Sequence, residues 1–197
     1  MSKGEQTHHM ILDRAARLFN RQGYFGSSLS DLMHETGLEK GGIYNHFRSK
    51  DDLALEAFDY AVGLVWQRVE QELVGKTNAV DRLLAMLAAY RSLIEDPPLV
   101  GGCPLLNTAI ESDDAHPALR NRTQAAMTRW RRWIQRTIER GVAVQEIRPE
   151  ADGDTLATLI ISAIEGAVML SKLYGDSVHI ERAVQHLTTY LKTTVQV

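Results

Sequence analysis

An all-α fold follows from three observations on this 197-residue sequence. Apolar residues recur at helical spacing along most of the chain. Three of the five prolines and two adjacent glycines fall together in Asp96–Pro104, so the periodic segments are cut by concentrated breakers. No alternating apolar–polar run of useful length competes as a strand, and no internal repeat or low-complexity tract is visible. About nine helices are expected.

Ile11, Ala15, Leu18 and Phe19 place one apolar stripe on a helix from about Gln6 to Gln22, which Gly23 stops. Tyr24 to Ser27 connects it onward. Ser28, with Asp31 three residues on, reads as a capping-box start. A short helix follows to Thr36 and ends at Gly37. A second short helix covers about Lys40 to Phe47. Ser49, with Asp52 at the third helical position, opens a long helix through Leu53, Ala57, Leu64 and Val69 to about Val74. At the usual rise per residue it is roughly 38 Å long. Gly75–Asn78 breaks it, and Val80, Leu83, Leu84, Leu87 and Ile94 mark the next helix. Beyond the Asp96–Pro104 loop come a short helix, Leu105–Glu111, and a longer one, Pro117–Arg140. Leu119, Ala126, Trp130, Trp133 and Ile134 point inward from the latter. After Gly141–Asp152 two helices finish the chain, about Asp154–Leu173 and His179–Val195.

Composition excludes several classes. With 44% hydrophobic residues, 24% charged residues and a net charge of −3, the chain is not disordered. One cysteine, Cys103, rules out an internal disulfide framework and a cysteine-rich zinc cluster. The average charge hides an asymmetry. Residues 1–50 hold seven basic and five acidic side chains, a net +2, and the rest carries −5. A small basic head on an acidic body hints at a nucleic-acid-facing part. Met1–Met10 is polar and lacks the apolar core of an export signal. Leu156–Leu170, interrupted by Thr158, Ser162 and Glu165, reads as too short for a bilayer core of roughly 30 Å. A cytoplasmic protein with no membrane partner is expected.

The head carries the informative motif. Two short helices joined by a tight turn containing Gly37 form a helix-turn-helix. Leu29, Leu32, Met33, Ile43 and Phe47 can pack this pair against Leu18 and Phe19, leaving Lys40, Gly41, Gly42, Tyr44 and Asn45 outward. The pattern Phe19-x3-Gly23-Tyr24-x2-Ser27-Ser28, followed by Gly37-x3-Gly41-Gly42-Ile43-Tyr44-Asn45-His46-Phe47-x2-Lys50, resembles the DNA-binding domain of tetracycline-repressor (TetR) family transcription regulators. The close resemblance covers about Thr7 to Leu55; the remainder is similar in helix number and lengths.

The resemblance implies a DNA-binding domain at 1–48, a helical ligand-binding and dimerisation domain at 49–197, and a homodimer placing its third helices in a major groove. It also implies a small-molecule effector whose binding moves the fourth helix and resets the spacing of the recognition helices. Half-sites on one DNA face lie roughly 34–36 Å apart. The expected partners are therefore a palindromic double-stranded operator, an effector of unknown identity and a second copy of the chain.

Each residue has a physical role to suit. Tyr44 and Lys50 contact phosphates, and the Ser28 hydroxyl and the helix start behind it favour one. Lys40 reaches a guanine edge or a phosphate, and Asn45 can pair bidentately with adenine. Gly41 and Gly42 permit close approach, and His46 is a packing or phosphate-edge residue. Glu39 stands where relatives often have a small hydroxyl residue. It either stabilises the start of its helix or reads a cytosine amino group.

In the body, Trp66, Met86, Tyr90, Cys103, Asn107, Met127, Trp130, Glu165 and Met169 are candidates for the effector pocket, against the alternative that Met and aromatic residues at helical spacing are core. Cys103 in Gly101-Gly102-Cys103-Pro104 is either a buried small residue or a thiol sensor of oxidants and electrophiles. Seven arginines between Arg120 and Arg140 form a solvated face, an anion site or an ion network. Leu159, Ala163, Gly166, Ala167, Leu170, Ala183, Leu187, Tyr190 and Leu191 are candidates for the dimer surface, or complete the chain's own core. No phosphate-binding glycine loop, His-x3-His pair or Ser/His/Asp motif is present, so no catalytic residue, metal or cofactor is expected. A helical enzyme using Cys103 or Glu165, or a helical module that has lost DNA binding, are the other readings.

Overall fold

The structure is a computed structural model that describes residues 2–112 and 114–197. Its described residues form nine α-helices: α1 (Lys3–Gln22), α2 (Leu29–Thr36), α3 (Lys40–Tyr44), α4 (Lys50–Leu73), α5 (Ala79–Glu95), α6 (Pro104–Ser112), α7 (Pro117–Ala143), α8 (Gly153–Tyr174) and α9 (Val178–Tyr190). Among them the extended pairing is a single isolated bridge between Ile147 and Gln196.

Most boundaries follow local chemistry. The Ser28–Asp31 capping box forms, and Gly37 closes α2 in the left-handed conformation with φ +69°. Ser49 Oγ accepts from the Asp52 N–H at 3.0 Å, starting α4 where expected. Three ends differ. The first helix begins at Lys3 rather than Gln6, because Ser2 and Glu5 make a capping box of their own. The third stops at Tyr44 rather than Phe47. Two consecutive glycines disfavour helix by about 1 kcal/mol each, leaving little to carry it past one turn. The last stops at Tyr190, and Leu191–Val195 winds as a π turn. That turn brings the Val195 carbonyl to the Arg148 N–H at 2.9 Å, and the chain end pairs beside Ile147.

The chain divides into two compact units, Met1–Leu64 with Leu99–Ala126, and Val65–Pro98 with Met127–Val197. The boundary expected at 48/49 falls inside the first. The core of the first unit is Ile11, Leu18, Leu32, Ile43, Phe47, Leu53 and Leu99, with Phe19, Leu29 and Met33 packed against it. This is the grouping the helix-turn-helix spacing calls for. In the second unit α8 packs on α9 and both pack on α5. Leu83, Met86, Trp130, Ile134, Ile164 and Ile180 are fully buried there.

The length argument against a spanning helix needs correction. At 22 residues α8 is long and apolar enough to cross a bilayer, but half of its apolar window is buried inside the protein. It is a core helix with a second, uncovered face.

Candidate nucleic-acid interface

On α3, Lys40 and Gly41 are exposed, as is Asn45 just after it; Gly42, Tyr44 and His46 are half-buried. The Lys40 ammonium lies 6.0 Å from the centre of the Tyr44 ring. A Cβ built on Gly41 meets nothing within 4 Å, so the bare backbone there is the protein's own outer surface. His46 meets the His8 ring edge-on at 6.1 Å, and His8 stacks on Phe47 at 4.5 Å, so His46 belongs to the packing around α1. Glu39 is the N-cap residue of α3 and makes no side-chain capping bond.

Two expected phosphate contacts are otherwise engaged. The Ser28 hydroxyl donates to Asp31 Oδ2 at 2.7 Å and accepts from the Asp31 N–H at 3.1 Å. The Lys50 ammonium donates to the Tyr24 carbonyl at 2.7 Å and lies over the Tyr24 ring at 4.1 Å. Burial lowers the Lys50 pKa, against the opposing pull of Asp51, Glu111 and Asp31. Two of the head's arginines are also paired, Arg17 with Asp13 at 2.9 Å and Arg21 with Glu35 at 2.7 Å.

Sequence reasoning missed the polar network behind this surface. Glu111 accepts from the backbone N–H groups of Tyr24 and Phe25 at 2.9 and 2.8 Å, holding the α1–α2 turn. Gly23 must be glycine there: its φ is +81°, and a Cβ would lie 2.6 Å from a Glu111 oxygen. The Tyr24 hydroxyl donates to Asp51, whose carboxylate stands 3.8 Å from His116 Nε2. Burial and then the Asp51 bond push the Tyr24 pKa far above its ordinary value, so the phenol stays protonated. Asn20 is buried and donates to the carbonyls of Val100 and Gly102 at 3.1 Å each, while Asn107 donates to Asn20 Oδ1 at 3.1 Å. The only sequence hint was the Gly101-Gly102 pair, whose backbone passes close to the Asn20 carbonyl. Asn20, Tyr24, Asn107 and Glu111 border a cavity of about 30 Å³, room for roughly one water.

Of the nine effector-pocket candidates, Met86, Tyr90 and Trp130 meet one another. Met86, Tyr90 and Trp130 are core: the Trp130 indole N–H points at Met86 Sδ at 3.3 Å, and its ring stacks on Tyr90 at 4.9 Å. Trp66 meets Trp133 instead, at 6.2 Å. Trp133, expected inward, is only half-buried. Asn107 serves Asn20, Cys103 is buried at 8% exposure, and Glu165 is buried. Met127 is half-buried and Met169 is 48% exposed, facing out of the body.

Among the dimer candidates, Ala167, Leu187 and Leu191 are buried within the chain and complete its own core. Leu159 is exposed, and Ala163, Gly166, Leu170, Ala183 and Tyr190 are half-covered.

Residues 11–57 match the family described as "Bacterial regulatory proteins, tetR family", and residues 79–187 match "Tetracyclin repressor-like, C-terminal domain". The fold is similar to that of a TetR transcriptional regulator from Chloroflexus aurantiacus J-10-FL, with 50% identity, all of both chains covered and a TM-score of 0.96. It is also similar to a transcriptional regulator from Saccharomonospora viridis solved in complex with choline, at 28% identity, 98% and 99% coverage and a TM-score of 0.82. The HTH-type transcriptional regulator YxaF of Bacillus subtilis is 29% identical over 89% of each chain. These proteins are transcriptional regulators, not enzymes.

Proposed function

Because the chain belongs to the TetR family of DNA-binding transcriptional regulators, we propose that it is a cytoplasmic repressor that grips a palindromic operator as a homodimer and lets go when a small molecule binds its helical body. The observation that carries the DNA half is the exposed α3 surface, with Lys40, a bare Gly41 and Asn45 presented together. Asn45 reads a base, Lys40 and Tyr44 take phosphates or a guanine edge, and the first-turn N–H groups of α2 serve where the Ser28 hydroxyl is engaged. Lys50 acts chiefly by pinning the α1–α2 turn, with its remaining N–H groups available to phosphate.

The dimer half rests on α8. Leu159, Ala163, Gly166, Leu170 and Leu173 recur at four- and three-residue steps, the spacing of a helix–helix seam, on the face the chain leaves uncovered. The relative's complex with choline supports a small-molecule effector for this chain as well. Cys103, buried, does not favour a thiol switch.

Binding to duplexes spanning the DNA around the protein's own coding region, followed across salt concentration, tests this. A preferred palindrome and a negative log–log slope are expected, shallower than roughly −9 because few cations are free in the head. Asn45→Ala should cost about 1–3 kcal/mol and relax preference at one base pair. Sequence-blind binding, or none, would refute the proposal.

A further inference from the structure

Between Pro117 and Ala143, α7 carries seven arginines and one glutamate, a net +6 on one helix of a chain whose total is −3. Two of the seven are ion-paired, Arg122 with Asp59 at 2.7 Å and Arg131 with Asp154. Four others, Arg129, Arg132, Arg136 and Arg140, follow at three- and four-residue steps and share one face. Among the described residues none of these four has a carboxylate within ion-pair distance. Like charges at this spacing oppose the helix that carries them.

The stripe is concave. With Arg82 and Trp133 it lines a cavity of about 480 Å³, within the range of small-molecule sites, roughly 300–1,000 Å³. Part of the lining is held in place. Arg82 donates to the Lys76 carbonyl at 3.1 Å and lies over the Trp133 ring, 5.7 Å from its centre. Trp66 meets that same ring edge-on. Thr137, buried in the wall, donates to the Trp133 carbonyl at 2.8 Å. The start of α5 contributes little, because Asn78 takes the N–H groups of Val80 and Asp81, and Glu146 takes that of Ala79. Attraction therefore comes from the guanidinium groups.

We propose that this cavity binds an aromatic oxyanion, a flat ring set against Trp133 and Arg82 with its carboxylate or phosphate oxygens gripped by the α7 arginines. Guanidinium forks match both oxyanions bidentately and also stack on flat rings. A bare inorganic ion leaves Trp133 unused, and a neutral ring leaves the arginines unpaired. The site goes beyond the repressor reading, since occupancy is measured on the free protein and requires no DNA.

The test is calorimetric titration and tryptophan fluorescence on the full chain without DNA, at low salt. The probes are 1-naphthoate and AMP, one for each source of the oxyanion. Their counterparts are 1-naphthalenemethanol, adenosine and inorganic phosphate. At least one aromatic anion should bind with a Kd below about 100 µM and at least tenfold tighter than its neutral counterpart or phosphate. Arg132→Ala and Arg136→Ala, both at exposed positions, should each weaken it about tenfold. Arg132→Lys should restore only part of that loss, and Arg120→Ala, outside the cavity, none. The proposal is overturned if neither anion binds by about 1 mM, if the neutral ring or phosphate binds equally well, or if the arginine substitutions leave binding unchanged. It also fails if random-sequence duplex DNA is the tighter ligand and needs the same arginines.

Discussion

Single residues in the first unit decide how the reading head is held. Asn20 is buried; its Nδ2 donates to the Val100 and Gly102 carbonyls, tying that backbone to α1, and its Oδ1 accepts from Asn107. Asn20→Ala removes the donor to the Val100 and Gly102 carbonyls and one of the three acceptors of the Asn107 amide, so a loss of about 1–3 kcal/mol is expected in urea unfolding. A change under about 0.5 kcal/mol would show that the loop is held by its apolar contacts alone. Asp13 gives a pH signature. Burial works to raise its pKa, but the bond and charge of Arg17, with the Tyr60 hydroxyl, hold it below the ordinary carboxylate value. A lowered folded pKa contributes stability above the unfolded value and loses it as pH falls through the folded one. Wild type and Asp13→Asn should therefore differ in urea midpoint at neutral pH, and the gap should narrow as pH falls below the ordinary carboxylate value. A gap that persists at acid pH would mean that charge is not what Asp13 contributes.

At the scale of elements, α3 is a helix built for access rather than stability. Its two glycines oppose helix formation, and nothing in the protein occupies the space a Gly41 side chain would take. Gly41→Ala should raise stability by about 1 kcal/mol while weakening operator binding. Thermal melts and DNA titrations on the same preparation check both signs. Unchanged DNA affinity would show that α3 does not approach the duplex at this end. The length of α3 was misjudged because the apolar pattern runs on through Phe47, while hydrogen bonding stops where the glycines have weakened the turn. The start of α1, in contrast, was legible in Ser2-x2-Glu5 and was missed only because no apolar residue marks that turn.

For the whole molecule, the uncovered face of α8 is an apolar feature left to explain, with Leu159 53% and Leu173 72% exposed. Leu159→Glu sets a charge in the middle of the proposed seam. It should convert a dimer to a monomer in sedimentation equilibrium without unfolding α8, since more than half of the residue is already exposed. A wild-type chain that sediments as a monomer at every concentration would end the dimer proposal. Fewer of the head's seven basic side chains are available to phosphate than their number suggests. Arg17 and Arg21 are paired and Lys50 is turned to Tyr24, so affinity must rest on a few placed contacts doubled by symmetry.

Helical periodicity, the caps at Ser28 and Gly37, and the order of residues from Gly37 to Lys50 determined the fold class, the reading head and the family from sequence alone. Each is a short-range property, written within a few turns of chain. Which apolar and polar side chains meet was decided only by tertiary structure. Met86, Tyr90 and Trp130 look identical in sequence whether or not they meet, and packing brought them together in the buried interior. Ser28 and Lys50 have the chemistry of phosphate ligands, yet Asp31 and Tyr24 claim them first. The arginines of α7 read as an ordinary solvated face until α5 supplied Arg82 opposite and Trp133 gave the hollow an aromatic wall. Contacts between residues distant along the chain carry no local signal, which is why the proposed DNA surface was legible and the hollow in the body was not.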